Sequence, residues 1–149
     1  NGQKASTSGN TTGVYDMSGG SFEYVAAYVN NGNSNLQDYG ANLVNAASKY
    51  KDVYNKGSSD TDYDNYEAAK NKYGDAIYET SDGVVVVGEA WYSDRTEMPS
   101  TSQTFFERGW YNYNDTTSYY NVTTGVFAFS SGGGGRSSAD TFRVVIPVL

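Results

Sequence analysis

Apolar positions change their spacing twice along the chain, and the changes divide it. Phe22, Tyr24 and Ala26 alternate with Glu23 and Val25 after a turn at Ser18-Gly19-Gly20, the period-two pattern of a short strand. Leu36, Tyr39, Leu43, Ala47, Tyr50 and Tyr54 then recur at three and four residues. That spacing predicts an amphipathic helix with Asn35 as its N-cap, weakened at Gly40. Beyond a Gly57-Ser58-Ser59 break, Asp64 with Glu67 forms a capping-box-like start to a second helix. Tyr66, Ala69 and Tyr73 would line its buried face, and Gly74 would stop it. The second half reverts to strand-like runs: Val84 to Val87, Ala90-Trp91-Tyr92, Phe105 to Trp110, Gly125 to Phe129 and Phe142 to Ile146. Pro147 places the last of these at an edge or terminus. Two helices followed by several strands predict an α+β fold. Residues 1–12 read as an extended lead-in segment, and residues 30–35, Asn-Asn-Gly-Asn-Ser-Asn, as a loop by composition.

A chain of 149 residues suits one domain, and it is long enough to bury a core without metal or disulfide staples. The net charge of -7 excludes nucleic acid as a partner and argues against docking on anionic lipid. No apolar run is long enough for a membrane-spanning helix, so no membrane insertion of this segment is expected. The first residues, Asn1-Gly2-Gln3-Lys4, carry neither a start methionine nor the apolar core of a leader. The expectation is a piece, the C-terminal portion, of a longer chain.

With no cysteine and no histidine, the sequence offers no thiol nucleophile and no base that titrates at neutral pH. Asp16, Glu23, Asp94 and Glu107 could in principle hydrolyse a glycoside as a carboxylate pair, but their spacing selects no pair. Enzymatic activity is therefore not expected. Gly132-Gly133-Gly134-Gly135-Arg136 lacks the Gly-Lys-Ser/Thr ending of a phosphate loop and reads as a flexible loop. Asp60, Asp62 and Asp64 have the first spacings of a calcium loop, but Asn65 and Asn71 stand where an EF-hand needs Gly and Glu. The run reads as a solvated acidic loop. No cofactor is expected, with structural calcium as the one residual option.

Three segments carry a resemblance. Near the start runs Gly13-Val14-Tyr15-Asp16-Met17-Ser18-Gly19-Gly20-Ser21-Phe22-Glu23-Tyr24-Val25; later come Phe106-Glu107-Arg108-Gly109-Trp110 and Thr141-Phe142-Arg143-Val144-Val145-Ile146. In this order they resemble the formylglycine-generating enzyme/sulfatase-modifying-factor family, whose fold is related to C-type lectins. The chain departs from the family pattern at Gly20, Phe22, Tyr24 and Trp110. The family's enzymes work through cysteine thiols, which are absent here. The resemblance therefore implies a non-catalytic, loop-rich C-type-lectin-like frame with antiparallel strands and two helices. The wording around Tyr15-Asp16-Met17 looks most like surface proteins that carry this domain, some of which are diversified by retroelements.

Composition marks where such a frame would act. The chain holds 15 Tyr and 17 Gly against 18% charged residues, a mixture that suits binding surfaces. Two stretches concentrate it, 110–121 and 130–140, in the late loops where C-type-lectin-like proteins bind ligand. Trp110, Tyr111, Tyr113, Tyr119 and Tyr120 would supply stacking and apolar contact. Asn112, Asn114, Arg136, Ser137 and Asp140 would supply hydrogen bonds. The expectation is a binding module, an adhesin or receptor-binding domain, displayed on a bacterial surface or phage particle with a protein or glycan ligand. The alternative is a structural subunit of a surface filament or phage fibre.

Overall fold

A computed structural model describes residues 21–59, 61–70, 75, 77, 95–109 and 128–141. The expected strands at 84–87, 90–92 and 142–146 lie outside them, as does the lead-in 1–12. The described elements form one mixed sheet with short helices, an α+β arrangement. Its central strand is β1, Phe22–Asn30 (FEYVAAYVN), whose β-branched and aromatic residues favour the pleated state. Strand β2, Asp52–Asn55, runs parallel to it with Ala27 opposite Asp52 and Val29 opposite Tyr54. Strand β3, Phe105–Arg108, runs antiparallel, with Glu23 opposite Arg108 and Tyr28 opposite Phe105. Strand β4, Phe129–Gly132, is antiparallel to β3, and the two-residue β5, Asp140–Thr141, lies parallel to the start of β1.

Glu23 faces Arg108 across one edge of β1 and Thr141 across the other, while Tyr28 faces Phe105 and Val53. A strand has two edges, so β3 occupies one and β2 and β5 share the other in succession. The expectation of antiparallel strands is thus corrected in part: both pairings on that second edge are parallel. Parallel pairing requires a crossover, and the residues between β1 and β2 supply it.

That crossover also corrects the long helix expected over 36–54. Two short helices take its place, α1 at Asn35–Asp38 and α2 at Ala41–Asn45, followed by a 3₁₀ turn at Ser48–Tyr50. The break falls at Gly40, whose backbone leaves the helical region (φ -110°, ψ 8°), and a Cβ there would sit 2.5 Å from the Phe105 ring. Ala46 turns to extended backbone (φ -64°, ψ 154°) and ends α2. Of the periodic stripe, Leu36 is buried, Tyr39 and Tyr50 are 61% and 64% exposed, and Tyr54 is buried in a strand. The second expected helix, α3 at Asp62–Ala69, has its cap three residues before the expected Asp64. Its cap is Thr61, whose Oγ1 accepts a hydrogen bond from the Asp64 N–H at 3.1 Å.

Alternation along β1 divides the core. Val25, Ala27 and Val29 face Tyr54, Ala69, Met98, Phe106 and Phe129, with Tyr66 of α3 packed against them. Phe106 is fully buried, 4.8 Å from the Tyr54 ring and 5.9 Å from that of Phe129. On the other face Tyr28 meets Leu36 and Phe105, with Leu43 and Val44 of α2 alongside. Both faces of the sheet are therefore covered, which is why 27–29 is buried without a break.

The polar loops are more ordered than composition predicts. The Nδ2 groups of Asn31, Asn33 and Asn35 donate to the carbonyls of Ser100, Thr101 and Ser102 in turn. The Oδ1 atoms of Asn31 and Asn33 accept from the N–H groups of Asn33 and Asn35 at 3.1 and 2.8 Å. The result is a ladder of asparagines clamping 31–35 to 100–102. Asn65 of α3, fully buried, accepts from Gly57 N–H at 2.8 Å and donates to the Pro99 carbonyl. Gly57 itself lies against the Asp64 backbone so closely that a Cβ would come within 2.4 Å.

The acidic run at 60–65 divides in function. Asp64 accepts from the Ser58 hydroxyl and from the Ser59 hydroxyl and N–H, bonds that hold its carboxyl below the usual range. Burial pushes Asp62 up, and the nearby Glu97 adds to the shift. Among the described residues no group of acidic side chains is arranged to hold a metal ion, and no helix is long and apolar enough to cross a membrane.

Candidate functional site

The three resembling segments meet in the sheet. Glu23 and Tyr24 of the first face Arg108 and Glu107 of the second, and Thr141, which opens the third, faces Glu23. Tyr24 and Glu107 stand side by side on adjacent strands, and beside them opens a cleft of about 490 Å³. Its floor is β4, where Ser130, Ser131 and Gly132 are buried.

A strand edge builds one wall. The segment around Thr96 lies along β4: Thr96 forms a parallel bridge with Phe129, and Phe129 N–H donates to the Arg95 carbonyl at 3.0 Å. This brings Arg95 and Glu97 to the cleft, joined by an ion pair at 2.5 Å in which both side chains are largely buried. Ser131 Oγ lies 3.1 Å from Glu97 Oε1 and 2.9 Å from Gln103 Oε1, tying this wall to the floor.

The opposite wall is the turn before β5. Asp140 Oδ2 accepts from Ser137 N–H at 3.1 Å, and Ser137 Oγ accepts from Ala139 N–H at 3.1 Å. Phe22 N–H donates to the Ala139 carbonyl at 3.0 Å, so the turn is sewn to the start of β1. Arg136, Ser137 and Asp140, three residues expected at the site, all line this cleft. The carboxylate of Asp140 and the hydroxyl of Ser137 are partly committed to closing the turn, while Arg136 is exposed.

The back of the cleft is Glu107, 7% exposed on a strand whose neighbours Phe105 and Phe106 are apolar. Burial raises its carboxyl above the ordinary range, and Asp140 and Glu97 add to this, while a hydrogen bond with Tyr24 pulls the other way. Desolvation wins. The Tyr24 phenol is pushed well up by burial and by the same Glu107, so it stays protonated and donates to the carboxyl. Its oxygen in turn accepts from Gly134 N–H at 3.0 Å. Tyr24 is therefore held at two points.

The glycine run is a packed element rather than the flexible loop expected. A Cβ on Gly132 would come within 2.1 Å of Glu107 Oε1 and 2.6 Å of the Tyr24 hydroxyl. At Gly134, φ is +85° and a Cβ would meet the Phe105 ring at 2.6 Å. Gly134 requires glycine for its backbone, while a side chain at 132 would have to displace the Glu107 carboxyl and the Tyr24 hydroxyl. On the far side of Tyr24, the tyrosine joins Tyr39, Leu43, Phe105, Gly40 and Gly134 around a second, apolar cleft of about 220 Å³.

Trp110, Tyr111, Asn112, Tyr113, Asn114, Tyr119 and Tyr120 lie outside the described residues. The chain that carries them leaves from β3 and returns to β4, and Gly109 N–H donates to the Ala128 carbonyl at 3.1 Å where it does so. Tyr24, Arg95, Glu97, Gln103 and Glu107 were not expected at the site. One signal in the sequence pointed to Glu107, a carboxylate inside an aromatic strand run; Arg95 and Glu97 reach the cleft through tertiary packing that no local pattern encodes.

Compared with protein-family models, curated proteins and solved structures, the chain matches none.

Proposed function

We propose that this chain is a non-enzymatic ligand-binding module, displayed outside the cell or on a phage particle, that binds its protein or glycan ligand in the cleft beside β4. The observation that carries the reading is the convergence of Arg136, Ser137 and Asp140 with Tyr24, Glu97 and Glu107 around one concave surface of about 490 Å³. That volume is ordinary for a ligand site. Its polar groups are held in place by internal hydrogen bonds, which lowers the ordering a ligand must impose. The aromatic segment 110–121, expected to supply further contacts, lies outside the described residues.

A C-type-lectin-like frame of the formylglycine-generating-enzyme type belongs to the same proposal. What supports it is the meeting of the three resembling segments at Glu23 and Tyr24 in one sheet.

The test pairs the wild type with the double variant Arg136→Ala/Asp140→Asn on glycan and protein arrays of surface components. A ligand captured by the wild type and lost by a folded double variant supports the reading. Equal capture by both proteins, or no capture on either array, overturns it.

A further inference from the structure

The polar cleft and the apolar cleft share Tyr24 as a common wall. Resting on the reading of this chain as a binding module, we propose that the two together take an uncharged pyranose oligosaccharide. One ring lies against Tyr39 and Tyr24, and the next occupies the polar cleft.

The apolar half supplies the stacking surface. Tyr39 is 61% exposed and Tyr24 37%, and Phe105 closes the cleft between them, its ring 6.2 Å from that of Tyr24 in an edge-on contact. Gly40 and Gly134 line the same cleft without side chains that would narrow it. A pyranose has one face of C–H groups, and an aromatic wall of this kind gains dispersion contact with it while the hydroxyls point outward. An aliphatic ligand would fill the apolar cleft but leave the polar groups across Tyr24 unused.

The polar half mixes charged groups of both signs with neutral donors and acceptors, several of them already paired within the protein. Glu97 is ion-paired with Arg95, and the buried Glu107 carboxyl is tied to the Tyr24 hydroxyl. Asp140 accepts from Ser137 N–H, and Arg136 lines the cleft from the same turn. Arg95 and Arg136 stand on the lining with Glu97, Glu107 and Asp140, and Gln103 and Ser137 add neutral donors and acceptors. A ligand rich in hydroxyls, each both donor and acceptor, matches that array. Tyr24, held by Gly134 N–H and Glu107, is already oriented between the two subsites, so binding does not have to order it.

The test is calorimetric titration of the 149-residue chain with cellotetraose, mannotetraose, xylotetraose, chitotetraose and maltotetraose. Tetragalacturonate and tetralysine serve as charged counterparts. Saturable binding of at least one neutral tetrasaccharide is expected, about tenfold or more tighter than its monosaccharide. Tyr39→Ala should weaken it about tenfold with an unchanged melting temperature, and Tyr39→Phe should retain it. No binding by any neutral tetrasaccharide, tighter binding of either charged probe, or indifference to Tyr39→Ala overturns the proposal. If a protein ligand is captured and lost in Arg136→Ala/Asp140→Asn while no saccharide titrates, the ligand class is wrong and the binding module stands.

Discussion

Glu107 shows how one side chain ties stability to the site. Its carboxyl is raised by burial, so the folded chain holds that proton more tightly than the unfolded one. The associated stability is fully present below the ordinary glutamate value of about 4.5 and is lost as pH rises through the folded value. Glu107→Gln keeps an acceptor for Tyr24 and removes the ionisation. The variant should melt above the wild type at pH 7 and converge with it near pH 4, as read by calorimetric melting. A variant less stable than wild type at both pH values would contradict this account. Gly132→Ala acts at the same spot from the other side, since its Cβ would enter the space where Glu107 and Tyr24 meet. Overpacking there should destabilise by about 1–3 kcal/mol, and ligand binding should fall with it.

Among the elements, the asparagine ladder and the buried Asn65 hold together what the strands do not. Asn65→Ala leaves the Gly57 N–H and the Pro99 carbonyl without their partner in a fully buried place. The expected loss is about 2–4 kcal/mol by denaturant unfolding, against less than about 1 kcal/mol for Asn30→Ala on the exposed end of β1. These elements also show what the sequence could and could not reveal. β1 was legible at its start, where Phe22, Tyr24 and Ala26 alternate with Glu23 and Val25, and β3 from the aromatic pair Phe105-Phe106; both signals are local. The helix over 36–54 was misread because Leu36 and Leu43 do lie on a helical stripe. It breaks at Gly40, the position the sequence marks as weak, and turns extended at Ala46; the Phe105 ring, 65 positions away, lies where a side chain at 40 would stand. The run at 30–35 looked like a loop because asparagine is frequent in loops, and only its partners at 100–102 reveal the clamp. At the site, Arg136, Ser137 and Asp140 were legible from composition and position, whereas Arg95 and Glu97 arrive by pairing along β4.

At the scale of the molecule, segments far apart in sequence come together at Glu23 and Tyr24, where the sheet forms the back of two adjoining clefts. The sheet is covered on both faces, so its strands are fixed and the groups on them are pre-positioned. Phe106→Ala, at the centre of the larger core, should remove about 3–5 kcal/mol and loosen the site with the fold, which calorimetric melting would register. The central claim is that ligand binds across Tyr24. It is tested most directly by amide chemical-shift mapping of the labelled chain titrated with the tightest-binding neutral tetrasaccharide. The account predicts saturable shifts at Tyr24, Tyr39, Glu97, Glu107 and 131–140. Shifts confined to other parts of the sheet, or none at saturating saccharide, would contradict it.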